Sequence, residues 1–321
     1  MNKPKFSKKK KKDKHPSPNV NPISSKKKEE DGPSNYQNLL TSGLYERQHA
    51  SLPLSFARPQ ENSDLARLIA CSGRRSHNHY HGEWLSLPSS NIDFSFIPSN
   101  LFRMLMYLRL GHDLFPVNHA GDLSKCTSCD KSVMDSKGFH SLHCSAGATN
   151  AHVRHDNIVW LLYYTCIRAN LSCVREDDAL CIGFSADLHV RRVDEDNKNM
   201  VLDVTIPNPT ANSNIDTLLN PSQGVPKVLK NSVDGKLKDP AGVAFTAVPR
   251  TSFYPFVIDA FGNAHENVDI IINLISKQSA SRTGYPLTSC INRLTRKIFC
   301  QLWYYNARML WHRYRLDDSE D

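Results

Sequence analysis

The spacing Cys126-x2-Cys129-x10-His140-x3-Cys144 limits what this chain can fold into more than any other feature of its sequence. Two cysteines separated by two residues present both thiolates to one ion from a tight turn. A histidine and a cysteine four apart do the same from a short helix or loop. Together they make a Cys3His set, which suits tetrahedral zinc and leaves no coordination position open, so the ion expected here is structural. His143 is a competing donor, but joint ligation with its immediate neighbour Cys144 is the less natural geometry. The chain has nine cysteines, an odd number, and no apolar stretch follows its basic N-terminus as a secretory signal would require. Metal ligation in a reducing compartment is therefore expected before disulfides.

After this cluster the pattern turns from helix to strand. A helix is predicted over 151–169, and it contains the longest strongly apolar run, Ile158 to Ile167, roughly half of what a membrane span needs. Strand-like stretches follow at Leu171 to Arg175, Leu180 to Val190 and Met200 to Ile206. Two of these carry an aspartate among apolar neighbours: Asp187 in Ser185-Ala186-Asp187-Leu188, and Asp203 in Val201-Leu202-Asp203-Val204. An uncompensated carboxylate is costly to bury. On adjacent antiparallel strands the pair would sit side by side and hold a hard cation such as Mg2+ or Mn2+. Such an ion activates water and offsets charge on a phosphodiester, and a nearby lysine would complete the arrangement. The competing reading is that each aspartate merely ends a strand or caps a turn.

Elsewhere a short helix is expected over 65–70. A second is expected over 102–110, with Ser99 or Asn100 as N-cap and Gly111 as its stop. The segment 207–240 is rich in Pro, Gly and Asn and reads as a connection. A strand over 253–258 and helices over 266–276 and 287–314 complete the pattern. The last has an apolar stripe from Ile291 to Met309 and a basic face with Arg293, Arg296, Lys297, Arg308 and Arg313. His77, His79 and His81 alternate, but their Arg, Asn and Gly neighbours argue for a loop more than a metal site.

Charge is divided unevenly. Residues 1–35 hold eleven of the lysines and a net +7 of the chain's +8, leaving the remainder close to neutral. With the lysine run Lys8 to Lys12 and few apolar residues, this segment is expected to be disordered and to serve nuclear import or nucleic-acid contact. The expected location is the nucleus, otherwise the cytoplasm, with no membrane partner. The layout is then a Lys-rich tail (1–35), a helical lead-in (36–118), a zinc knuckle (119–150), an α/β core (151–262) and C-terminal helices (263–321).

In this order the pieces resemble the C-terminal region of non-LTR retrotransposon reverse transcriptase polyproteins of the restriction-like-endonuclease group. The resemblance runs from about Leu65 to Tyr314. It is carried by Glu83-Trp84-Leu85-Ser86-Leu87-Pro88-Ser89, Leu108-Arg109-Leu110-Gly111, the Cys/His cluster with Asp135 and Gly138 inside it, and Arg154-His155-Asp156. Ala186-Asp187-Leu188, Leu202-Asp203-Val204-Thr205, Phe253 to Gly262 and Asn306-Ala307-Arg308 complete it. The resemblance implies a PD-(D/E)xK restriction-endonuclease-like core behind a zinc knuckle, nicking target DNA to prime reverse transcription. It implies Asp187 and Asp203 as magnesium-binding catalytic carboxylates, with Arg154 and His155 flanking the substrate phosphate. Ser185 replaces the usual proline, and Thr205 stands where a simple Asp-x-Lys would put its lysine. The family often draws that lysine from the next helix, and there Lys236 is the first candidate and Lys238 the second. The 321 residues hold no aromatic-x-Asp-Asp polymerase motif, so a reverse transcriptase would have to be supplied separately. The alternative is a catalytically inactive, zinc-containing remnant that binds DNA or RNA.

Overall fold

The computed structural model describes residues 59–72, 97–115, 125–126, 128–146, 150–181, 183–193, 196–220 and 222–317. The Lys-rich tail, the histidines at 77, 79 and 81, and the Trp84 motif lie outside the described residues.

The protein is mixed α/β. Helices α1 (Pro59–Ser72) and α2 (Ser99–Leu110) come first, and the Cys/His segment with a short 3-10 turn at His140–Leu142 follows. Then come α3 (Ala151–Arg168), β1 (Ser172–Cys181), β2 (Phe184–Arg191) and β3 (Asn199–Thr205). Next are α4 (Asn212–Leu219), α5 (Gly224–Lys238), α6 (Pro240–Thr246) and β4 (Thr251–Val257), and α7 (Glu266–Thr283) and α8 (Leu287–Asp317) close the order. The four strands form one sheet in the order β1-β2-β3-β4. The first three run antiparallel, and β4 is parallel to β3, an arrangement that needs the long helical crossover between them.

Several sequence expectations shift in detail. The predicted strand 180–190 divides, its first residues closing β1 and the rest forming β2, with Gly183 between them at φ +88°. A side chain would strain that backbone, and glycine does not. The 207–240 segment is not a plain connection, because it holds α4 and α5. Its breakers mislead: Pro226 falls in the first turn of α5, where no intrahelical N–H is owed, and Val225, Val228, Leu229 and Val233 bury one face. Helix α2 starts at Ser99, but no side chain caps it. Gly111 stops it as expected, in the left-handed region at φ 74°. Helix α7 runs on to Thr283, past its predicted end.

The main apolar core runs from α1 and α2 through the Cys/His segment to the sheet and the two last helices, and a smaller cluster of Ala186, Val201 and Phe245 lies apart from it. Leu142, Leu188, Leu202, Phe256, Ile272, Phe299 and Trp303 are all buried in it. The Cys/His segment is thus built into the fold. At Gly138 (φ +79°) a Cβ would come 2.7 Å from a Leu310 methyl and 2.9 Å from the Phe115 ring. Only glycine lets that turn seat against α8.

Candidate functional site

The first centre is the Cys/His segment. The ligand atoms of Cys126, Cys129, His140 and Cys144 all lie within 4.8 Å of one another. The Sγ atoms of Cys126 and Cys144 are 3.9 Å apart, and Cys129 Sγ is 3.4 Å from His140 Nε2. Tetrahedral zinc with ordinary Zn–S and Zn–N bonds needs donor separations of roughly 3.5–3.8 Å, so the set fits such an ion. Asp135 shapes the turn by accepting the amides of Phe139 and His140, each at 2.7 Å. The backbone amides of Lys131 and Ser132 draw the Cys129 thiol down to about 7 against its burial. Burial holds His140 below its ordinary value. Burial instead pushes the Cys144 thiol up, and a bound metal would take the thiolate and neutral imidazole forms. His143 is outside the set. Its Nδ1 lies 3.0 Å from Asn208 Nδ2 and 3.1 Å from the Phe139 carbonyl.

Sequence reasoning missed Asn208. It follows β3 by three residues, is buried, and also donates to the Phe139 carbonyl at 3.2 Å. It therefore ties the Cys/His segment to the end of the strand that carries Asp203. A buried asparagine between two prolines was the available signal, and it reads as a turn.

The second centre lies where β2, β3, α3 and α5 meet. Leu188 pairs with Leu202 and His189 with Val201, so Asp187 and Asp203 each stand one residue past the last paired position, where the Asp187 charge acts on Asp203. Asp187 Oδ2 accepts the Val204 amide at 2.6 Å. Helix α3 starts at a fixed point because Asn150 caps it, accepting from the Val153 amide at 3.0 Å. One turn in, His155 brings Nε2 to 3.2 Å from Asp187 Oδ2 and 3.1 Å from the Val204 carbonyl. Its Nδ1 is 3.0 Å from Asp156 Oδ1. Both ring nitrogens therefore face acceptors. Burial opposes the imidazolium, but the Asp187 and Asp156 carboxylates outweigh it and push His155 up to about 9.

Helix α5 supplies the cation. Lys236 Nζ is 3.0 Å from Asp203 Oδ2. The turn into α6 fixes its place: Asp239 caps α6 through the Gly242 amide at 2.8 Å, and a Cβ on Gly242 would come within 1.9 Å of the Lys236 carbonyl. Burial raises Asp203 above the ordinary carboxylate value, with Asp187 and Asp239 adding to it and Lys236 opposing.

Arg154 lies elsewhere. It is buried in the core, where it donates to Asn306 Oδ1 at 2.7 Å, and Asn306 in turn donates to the Ala260 carbonyl at 2.7 Å. At 1% exposure it has no surface to offer a phosphate. It and His155 are neighbours in sequence, but the helix turns them to different surroundings. Arg313, expected on the solvent face of the last helix, is likewise buried, and donates to the Met309 and Ala146 carbonyls. Lys238, the second lysine candidate, closes α5 two residues beyond Lys236.

The chain matches no family model and no curated protein sequence. The Cys3His cluster can bind a metal such as zinc. Among the described residues no helix is long and apolar enough to cross a membrane.

Proposed function

We propose that this chain is a metal-dependent DNA endonuclease domain of non-LTR retrotransposon ancestry, built on a PD-(D/E)xK core with a structural zinc knuckle. The observation that carries the reading is the convergence of Asp187, Asp203 and Lys236 from two strands and a later helix. The order helix, three antiparallel strands, helix, parallel strand supports the PD-(D/E)xK assignment.

Asp187 and Asp203 offer hard oxygen donors suited to Mg2+ or Mn2+. An ion held by these two carboxylates would supply an acidified water and offset charge on the scissile phosphate. Lys236 Nζ is placed to orient the attacking water or to donate to a phosphate oxygen. His155 holds the Asp187 carboxylate and the Val204 carbonyl in place. Asn208 links the Cys/His segment to the end of the strand that carries Asp203. The product is a nick whose 3′ end a separately supplied reverse transcriptase extends, and the place of action is the nucleus.

A second reading has one observation in its favour. Each carboxylate already has a cationic partner, His155 for Asp187 and Lys236 for Asp203, so the site is balanced without a divalent ion. That would suit a nucleic-acid-binding remnant without cleavage. Plasmid nicking separates the two. The full zinc-loaded chain converts supercoiled DNA to open circles with Mg2+ or Mn2+ on the first reading and leaves it intact on the second.

A further inference from the structure

The outer face of α3 carries a stack of side chains that neither metal centre uses. The Arg175 guanidinium of β1 sits 3.7 Å over the centre of the Trp160 ring. The Tyr164 ring lies nearly parallel to Trp160, with centroids 5.3 Å apart and 22° between the planes. Tyr163 packs edge-on against both. A buried aromatic cluster would need no explanation, but this one faces outward. Trp160 is 38% exposed and Tyr164 is 55% exposed. Tyr164 also lines a groove of about 750 Å³ between α3, α7 and α8. Arg168, Arg293 and Lys297 lie along the same groove, and Tyr285, 62% exposed, also lines it. Among the described residues no acidic side chain lines it.

Exposed single aromatics are common on protein surfaces. A stacked ladder that ends on an open ring and continues into a groove lined by three cationic side chains is a different arrangement. Flat rings accept unstacked bases of any sequence, and cations at intervals beside them track a phosphate chain. A duplex buries its base faces in its own stack and has no use for such a ladder. We propose that this surface binds single-stranded DNA, with a base on the open face of Tyr164, Trp160 and Arg175 backing that ring, and the backbone along Arg168, Arg293 and Lys297. It rests on the nuclease reading for the choice of DNA over RNA, because a nick in a duplex leaves a DNA end that can unpair beside the cleavage site. The stacking geometry is independent of that reading.

The test is fluorescence anisotropy of labelled oligothymidylate of about twenty nucleotides, longer than one stacking site needs. The full chain is used in an Asp187→Asn background without added Mg2+, so that the probe is not consumed. Trp160→Ala/Tyr164→Ala is expected to weaken binding about tenfold or more while the salt dependence stays the same, since no charge is lost. Trp160→Phe/Tyr164→Phe keeps both rings and is expected to retain much of the affinity. The thermal midpoint of the alanine variant, read alongside, separates lost stacking from misfolding. Arg168→Glu/Lys297→Glu is expected to shift the salt slope by about 1.4 or more, two phosphate contacts at about 0.7 each. Unchanged affinity in the aromatic double variant, or an unchanged salt slope in the charge reversal, overturns the proposal. So does oligouridylate binding as tightly as oligothymidylate. Plasmid nicking is scored separately on chains with Asp187 intact. A protein that binds the oligonucleotide through these residues without nicking sinks the nuclease reading alone, and one that nicks while the aromatic variant binds normally sinks this one alone.

Discussion

Lys236 reaches Asp203 across a separation of 33 residues, its Nζ 3.0 Å from Asp203 Oδ2. The simpler solution, a lysine two residues along the same strand, is closed off because Thr205 occupies that position. The lysine comes instead from the last turns of α5, held there by the tight corner at Gly242. Lys236→Ala is therefore expected to lower the nicking rate by about a hundredfold, in the range seen for loss of one electrostatic stabiliser. Both partners are partly exposed, so the fold should be little affected. Rate and thermal midpoint, measured on one preparation, check both halves.

Zinc content gives a second prediction. One ion per chain is expected, retained by His143→Ala and lost or weakened by Cys129→Ser and His140→Ala, as read by a chelator dye after denaturation. Because Leu142, Cys126 and Cys144 belong to the main apolar core, chelation should lower the midpoint of the whole protein and not release one small module. A single transition that moves with zinc is the expected result.

Gly138 sets a packing test. Gly138→Ala places a methyl group against Leu310 and Phe115 on backbone at φ +79°. Strain and overpacking together should cost about 2–4 kcal/mol. Chemical denaturation measures it, and Gly183→Ala is the control, since its Cβ would meet nothing within 4 Å and only the backbone term remains.

Much of this site was legible before the structure. The cysteine and histidine spacing is local, and local spacing survives folding, so the four ligand candidates meet as expected. Asp187 and Asp203 were visible because a carboxylate in an apolar strand needs a reason. Arg154 was misread for the opposite cause. Its partner, Asn306, lies 152 residues away, and nothing near Arg154 in the sequence marks it as buried. Helix α5 was hidden by Gly224, Pro226 and Gly235, although its apolar residues recur at helical intervals.

Arg154→Met and Arg154→Ala separate the structural role from a catalytic one. The guanidinium is buried and bonded to Asn306, with Asp259 as its nearby carboxylate, so truncation leaves polar partners unsatisfied. A loss of about 3 kcal/mol or more in stability is expected, against little change in rate for whatever remains folded. A variant of normal stability with abolished nicking would return Arg154 to the phosphate.

Asp259 sets the pH dependence of stability. It is fully buried and accepts the amides of Phe261 at 2.9 Å and Asn263 at 2.8 Å, yet burial pushes it up to about 7. A carboxyl whose folded value exceeds its unfolded one contributes stability that is full below about pH 4 and lost as pH rises through 7. The thermal midpoint should therefore carry a downward component between those limits, and Asp259→Asn should remove it.

Whether Asp187 and Asp203 form a metal-dependent cleavage site is decided by single-turnover nicking of supercoiled plasmid. Open circles are expected from the zinc-loaded chain with Mg2+ or Mn2+, none after the divalent ion is withdrawn, and at least a hundredfold loss in Asp187→Asn and in Asp203→Asn. A folded, zinc-loaded wild type that leaves the plasmid intact, or variants that nick as fast as it does, would contradict such a site.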